Sequence, residues 1–122
     1  MNSYLEKYPY TRIFFGIGKR KEIAEVCGGL GKKCLLITSR SFAKRLGFLD
    51  QIKAGLEKAG VQVQIFAGIE PEPMDETVIR LAQEIRNIQP QFLIALGGGS
   101  VIDACKCAEA VATLGINLKD LY

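Results

Sequence analysis

The stretch Phe92-Leu93-Ile94-Ala95-Leu96-Gly97-Gly98-Gly99-Ser100-Val101-Ile102-Asp103 decides how this chain is read. Five apolar residues in a row suit a strand covered on both faces, as in a parallel sheet, and mark this as the central strand. The three glycines carry no Cβ, so the backbone can turn sharply and leave its N–H groups open to a ligand. Ser100 stands where a helix N-cap is expected, and Asp103, three residues on, gives a near-relative of the capping box. A helix N-terminus approached through glycines is a ready anion site, and phosphate is the usual anion. A turn whose glycines serve packing alone, with Ser100 and Asp103 only capping the helix, fits the same letters. The motif is neither G-x-G-x-x-G nor the P-loop, because no Gly-Lys-Ser/Thr closes it. The rest of the chain decides between the two readings.

The 122 residues suffice for one domain with its own core. Apolar residues make up 48% and charged residues 24%, the balance of an ordinary globular protein. No apolar run approaches the roughly 18 residues a membrane span needs, and Met1-Asn2-Ser3-Tyr4-Leu5-Glu6-Lys7 lacks a signal-peptide core. A cytoplasmic protein with no membrane partner is the expectation. The net charge is only +3, and basic residues are scattered apart from Lys19-Arg20-Lys21 and Lys32-Lys33, so no nucleic-acid partner is expected.

Cys105 and Cys107 sit two apart on a predicted helix and point in different directions, a poor metal pair. With Cys27 and Cys34 they read as reduced, partly buried thiols. The sequence contains no histidine, which removes the commonest transition-metal ligand and the commonest general base. No metal site and no catalytic residue is assigned to this chain.

Read in order, residues 1–12 form a lead-in in which Pro9 discourages a central strand. Arg12-Ile13-Phe14-Phe15 is a short strand closed by Gly16-Ile17-Gly18. Ile23, Ala24, Val26 and Cys27 make a helical stripe ended by Gly28-Gly29. Cys34-Leu35-Leu36-Ile37-Thr38 is an unbroken apolar strand, followed by Ser39-Arg40-Ser41. A short helical turn begins at Ser41, and Leu49, Ile52, Leu56 and Ala59 trace a helix stopped by Gly60. Val61 to Phe66 alternates, so it reads as a strand near a sheet edge. A proline-rich loop, Pro71-Glu72-Pro73, precedes a helix with acids in its first turn and Val78, Leu81, Ala82 and Ile85 on its buried stripe. The last helix runs from Val101 to Leu114 and stops at Gly115.

Four strands alternating with helices, spaced too widely for hairpins, predict an α/β fold. The expected form is a Rossmann-like three-layer domain, with a mainly parallel sheet and helices on both faces. Ligands of such sheets bind at the carboxyl ends of the strands. Gly16-Ile17-Gly18, Ser39-Arg40-Ser41, Pro71-Glu72-Pro73 and the glycine turn all follow strands. That convergence favours a nucleotide-type ligand over glycines used only for packing.

At this point the residues resemble a known family. Phe15-Gly16-Ile17-Gly18, Leu35-Leu36-Ile37-Thr38, Pro71-Glu72-Pro73 and Gly97 to Lys106 are similar, in order and over about residues 10–122, to the N-terminal domain of iron-containing (group III) alcohol dehydrogenases. The resemblance implies one dinucleotide-binding domain over residues 1–122. It also implies that the family's helical domain, which holds iron or zinc through an aspartate and several histidines, is absent, so the chain is a fragment predicted inactive alone. In the full-length enzyme a hydride would pass between a small alcohol or aldehyde and the nicotinamide. Carried over, Gly97, Gly98, Gly99 and Ser100 resemble the pyrophosphate cradle, Asp103 lies near the nicotinamide end, and Lys106 is similar to the motif's lysine.

Thr38 and Ser39 fall at the adenosine end. Family members that prefer NAD often carry an aspartate at position 39, which repels a 2′-phosphate. Here Ser39 stands with Arg40, Ser41, Lys44 and Arg45 nearby, so NADP is favoured over NAD, although these cations also suit a plain solvated face. Pro71-Glu72-Pro73 departs from the family's usual Pro-Asn-Pro, and Glu72 alters the local charge. Polyol or glycerol dehydrogenases and dehydroquinate-synthase-like lyases have similar glycine motifs. A non-catalytic nucleotide-binding module is the reading from a different class. A homo-oligomer is compatible with the edge strand at residues 61–66.

Overall fold

The computed structural model describes residue 18 and residues 22–43, 47–71, 73 and 75–115. The expected strand at residues 12–15, its Gly16-Ile17 turn, and Lys44, Arg45 and Glu72 lie outside the described residues. The elements alternate as foreseen: helix α1 (Ile23–Cys27), strand β1 (Lys33–Ser39), helix α2 (Arg40–Ala43), helix α3 (Phe48–Lys58), strand β2 (Gln62–Ile69), helix α4 (Asp75–Ile88), strand β3 (Phe92–Leu96) and helix α5 (Gly99–Leu114).

The strands form one parallel sheet in the order β2-β1-β3. Cys34 pairs with Val63 on one side and Phe92 on the other, and the ladder runs in step to Ile37. There the β1–β2 register shifts, so that Ser39 faces Ile69. An extra residue on β2 bends the carboxyl end of that pair.

Alternate side chains of β1 enter two cores. Leu35 and Ile37 pack with Ile69, with Val78, Leu81 and Ile85 of α4, and with Val101, Ala104 and Ala108 of α5. Cys34 and Leu36 pack with Leu49, Ile52 and Leu56 of α3 and with Val61 and Val63, while Ile23 and Cys27 of α1 lie against them. Helices therefore cover both faces, giving three layers. The spacings that predicted the helices are the spacings that bury them: i, i+3, i+7 on α3 and i, i+3, i+4, i+7 on α4.

One expectation changes. Residues 92–96 were expected to be the central strand; among the described residues β1 holds the centre, with Cys34 to Thr38 buried. All five residues of β3 are half-buried, and among the described residues β3 pairs on one side only. An apolar run reports cover from above and below. It does not report how many strands lie alongside.

Candidate functional site

The connections out of β1 and β3 leave in opposite senses. From β1 the chain passes through α2 and α3 over one face to β2; from β3 it enters α5 on the other face. The carboxyl ends of β1 and β3 are neighbours, paired through Thr38 and Leu96. This is the topological switch point of the sheet, where diverging connections leave a crevice. Residues 38–41 form one lip of it and residues 97–100 the other.

On the β1 side, Thr38 is fully buried, and its Oγ1 donates to the carbonyl oxygen of Leu96 at 2.7 Å. Its side chain fastens the floor of the crevice and leaves only main chain for a ligand. Ser39 is half-buried and caps α2: its Oγ accepts from the Phe42 N–H at 3.1 Å and lies 3.3 Å from Ser41 Oγ. Its own proton remains for Ser41 or a ligand. Arg40 is exposed beside it.

On the β3 side, the three glycines do different work. Gly97 has φ +156°, and a Cβ there would stand 2.7 Å from Val101 Cγ2, so this glycine is required by the turn itself. A Cβ on Gly98 or Gly99 would meet nothing within 4 Å. The space over these two exposed residues is open, which fits the close approach of an extended, phosphate-bearing ligand. The N–H groups of Gly99 and Ser100 open α5 and have no carbonyl a turn earlier to receive them.

Ser100 was expected to cap this helix. Gly98 is the cap residue instead, in extended conformation and without a side-chain bond, and the Ser100 hydroxyl donates to the carbonyl oxygen of Pro71. The helix starts two residues earlier than the cap signal places it, with Gly99 as its first residue. Asp103 is exposed in the second turn of α5, and Lys106 is exposed one turn further. The structure therefore brings Thr38, Ser39 and the glycine turn to one crevice, with Asp103 along the helix leading away from it.

Sequence reading missed the fastenings. Thr38 to Leu96, Ser100 to Pro71, and Thr77 Oγ1 to Glu70 Oε1 (2.6 Å) join residues across the strand ends. The first two span 58 and 29 positions, beyond any local pattern.

The thiols are free. Burial, with the neighbouring Cys27 adding to it, pushes Cys34 up to about 12, and burial followed by the charge of Glu109 pushes Cys105 up to about 11. Neither is a nucleophile near neutral pH. Among the described residues no three His, Cys, Asp or Glu side chains converge as metal ligands, and none of the helices is long and apolar enough to cross a membrane.

The family model described as iron-containing alcohol dehydrogenase matches residues 10–122. Over 94 residues the chain is 38% identical to the NADPH-dependent butanol dehydrogenase of Clostridium saccharobutylicum, covering 77% of this chain and 24% of that protein. The structure of an iron-containing alcohol dehydrogenase from Thermococcus thioreducens superposes with a TM-score of 0.79 at 30% identity, covering 88% of this chain and 28% of the other. That of the NADH-dependent butanol dehydrogenase A from Thermotoga maritima gives 0.82 at 28% identity, covering 90% and 28%. The chain thus spans about a quarter of the length of the relatives it matches.

Proposed function

Because the chain belongs to the iron-containing alcohol dehydrogenase family, we propose that it is the dinucleotide-binding part of a nicotinamide-dependent alcohol dehydrogenase. The observation that carries this reading is the switch-point crevice between β1 and β3, with the open space over Gly98 and Gly99 on one lip. In it, the main-chain N–H groups at residues 98–100 hold the pyrophosphate, where the helix dipole favours negative charge. Residues 38–41 hold the adenosine end, and Asp103 lies toward the nicotinamide.

When bound, the nicotinamide exchanges a hydride with the carbinol carbon of a small alcohol or the carbonyl carbon of its aldehyde. This chain's own residues bind and orient. Their contribution is to fix the cofactor along the carboxyl edge of the sheet. In this reading the iron or zinc of the family belongs to the longer enzyme, and the chain does not turn over alcohol alone. No histidine is present in it to serve as ligand or base.

We read the cofactor as NADP(H) before NAD(H). Ser39 sets no carboxylate against a 2′-phosphate, and Arg40 stands next to it in α2. The test is calorimetric titration of the folded chain with NADPH and NADH, repeated on Ser39→Asp. The expected result is tighter binding of NADPH, reversed by the aspartate. A folded chain that takes up neither dinucleotide would sink the proposal.

A further inference from the structure

The hydroxyl of Ser100 is already committed. It donates to the carbonyl oxygen of Pro71, and a serine has one proton to give. Phosphate oxygens accept, so while that bond stands the side chain offers an anion only lone pairs. Donation to an anion at this turn then falls to the main-chain N–H groups of α5. Pro71 follows β2 by two residues, and Glu70 beside it is held by the buried Thr77 hydroxyl of α4 at 2.6 Å. Two hydroxyls from two helices therefore pin residues 70 and 71, and the one from Ser100 does so from within the glycine turn.

We infer that Ser100 is a positioning residue and not a phosphate ligand. Its side chain ties the segment after β2 to the first turn of α5, and thereby sets the angle at which the N–H groups of that turn face the crevice. For its ligand the inference rests on the dinucleotide reading above; for its geometry it rests on the Ser100–Pro71 and Thr77–Glu70 bonds. A side chain that touched phosphate directly would have to release Pro71 first.

The experiment compares the wild-type chain, Ser100→Ala and Ser100→Thr in two measurements. One is amide hydrogen exchange at residues 70 and 75 without ligand. The other is calorimetric titration with NADPH. Ser100→Ala is expected to exchange faster at these amides and to bind NADPH about tenfold more weakly, at an unchanged melting temperature. Ser100→Thr, which keeps the hydroxyl, is expected to restore both. Weaker binding by Ser100→Ala with unchanged exchange would mean that the hydroxyl meets the ligand itself, and would overturn the inference. So would faster exchange with unchanged affinity, which is a purely structural role. Failure of the wild-type chain to bind NADPH sinks the dinucleotide reading, and the exchange comparison then decides the tether alone.

Discussion

Thr38 and Leu96 close the floor of the crevice: the threonine hydroxyl, with no exposed surface, donates to the leucine carbonyl at 2.7 Å, joining the carboxyl ends of two parallel strands just where their connections part. Replacing the hydroxyl by a methyl in Thr38→Val leaves that carbonyl without its donor. The expected cost is about 1–3 kcal/mol of unfolding free energy. Urea unfolding followed by circular dichroism measures it, and a neutral result would show that the bond contributes nothing net.

The glycine turn gives a contrast between neighbours. Gly97→Ala places a methyl 2.7 Å from Val101 Cγ2 at a backbone angle that other residues avoid, and should destabilise the fold by about 1–3 kcal/mol. Gly99→Ala meets open space and should leave stability within about 0.5 kcal/mol. Because the clash is with a valine methyl, Gly97→Ala combined with Val101→Ala should cost less than the two single changes added. Additivity would place the strain in the backbone instead.

These two glycines also show what could be read from the letters. That a tight turn and a helix start follow residue 96 was legible, since no other residue runs three in a row there. Which glycine the turn requires was not, because it depends on where Val101 lands one helical turn later. The three layers were likewise visible in the apolar spacings of α3 and α4 and in the unbroken run of β1. Which strand stands at the centre of the described sheet was not legible, because β1 and β3 carry the same kind of run and differ there only in their lateral neighbours. For Ser100, a cap signal was correctly seen near a helix start, but glycine can begin a helix without a side-chain cap, and that freed the hydroxyl for Pro71.

Stability should fall in alkali. Cys34 and Cys105 keep their protons in the folded chain up to about 12 and about 11, whereas an unfolded thiol loses its proton near pH 8.5. Between those limits the unfolded chain binds fewer protons, so rising pH favours unfolding. The contribution of the thiols is fully present below about pH 8 and declines above it, by up to roughly 1.4 kcal/mol per pH unit for each. Urea midpoints taken from pH 7.5 to 10 test this. Cys34→Ala should flatten the slope although it lowers the starting stability, and an equally steep slope in the variant would assign the effect to other groups.

Arg86 closes the far end of α5. From α4 its guanidinium donates to the carbonyl oxygens of Val111 at 2.8 Å and Ala112 at 3.4 Å, both in the last turn of the helix, where unpaired carbonyls collect. Arg86→Ala should therefore cost about 0.5–1.5 kcal/mol and raise amide exchange at residues 113–115. Arg86→Lys, with a single point of attachment, should restore only part of it. If exchange at those amides does not change, the contact carries no load.

Because α4 and α5 share one face, the two outer strands of the described sheet are joined over the middle one: the chain leaves β2, crosses the face lined by Leu35 and Ile37 in α4, and enters β3. Separating either outer strand from β1 therefore also draws α4 off Leu35 and Ile37, which ties both edges of the described sheet to one core.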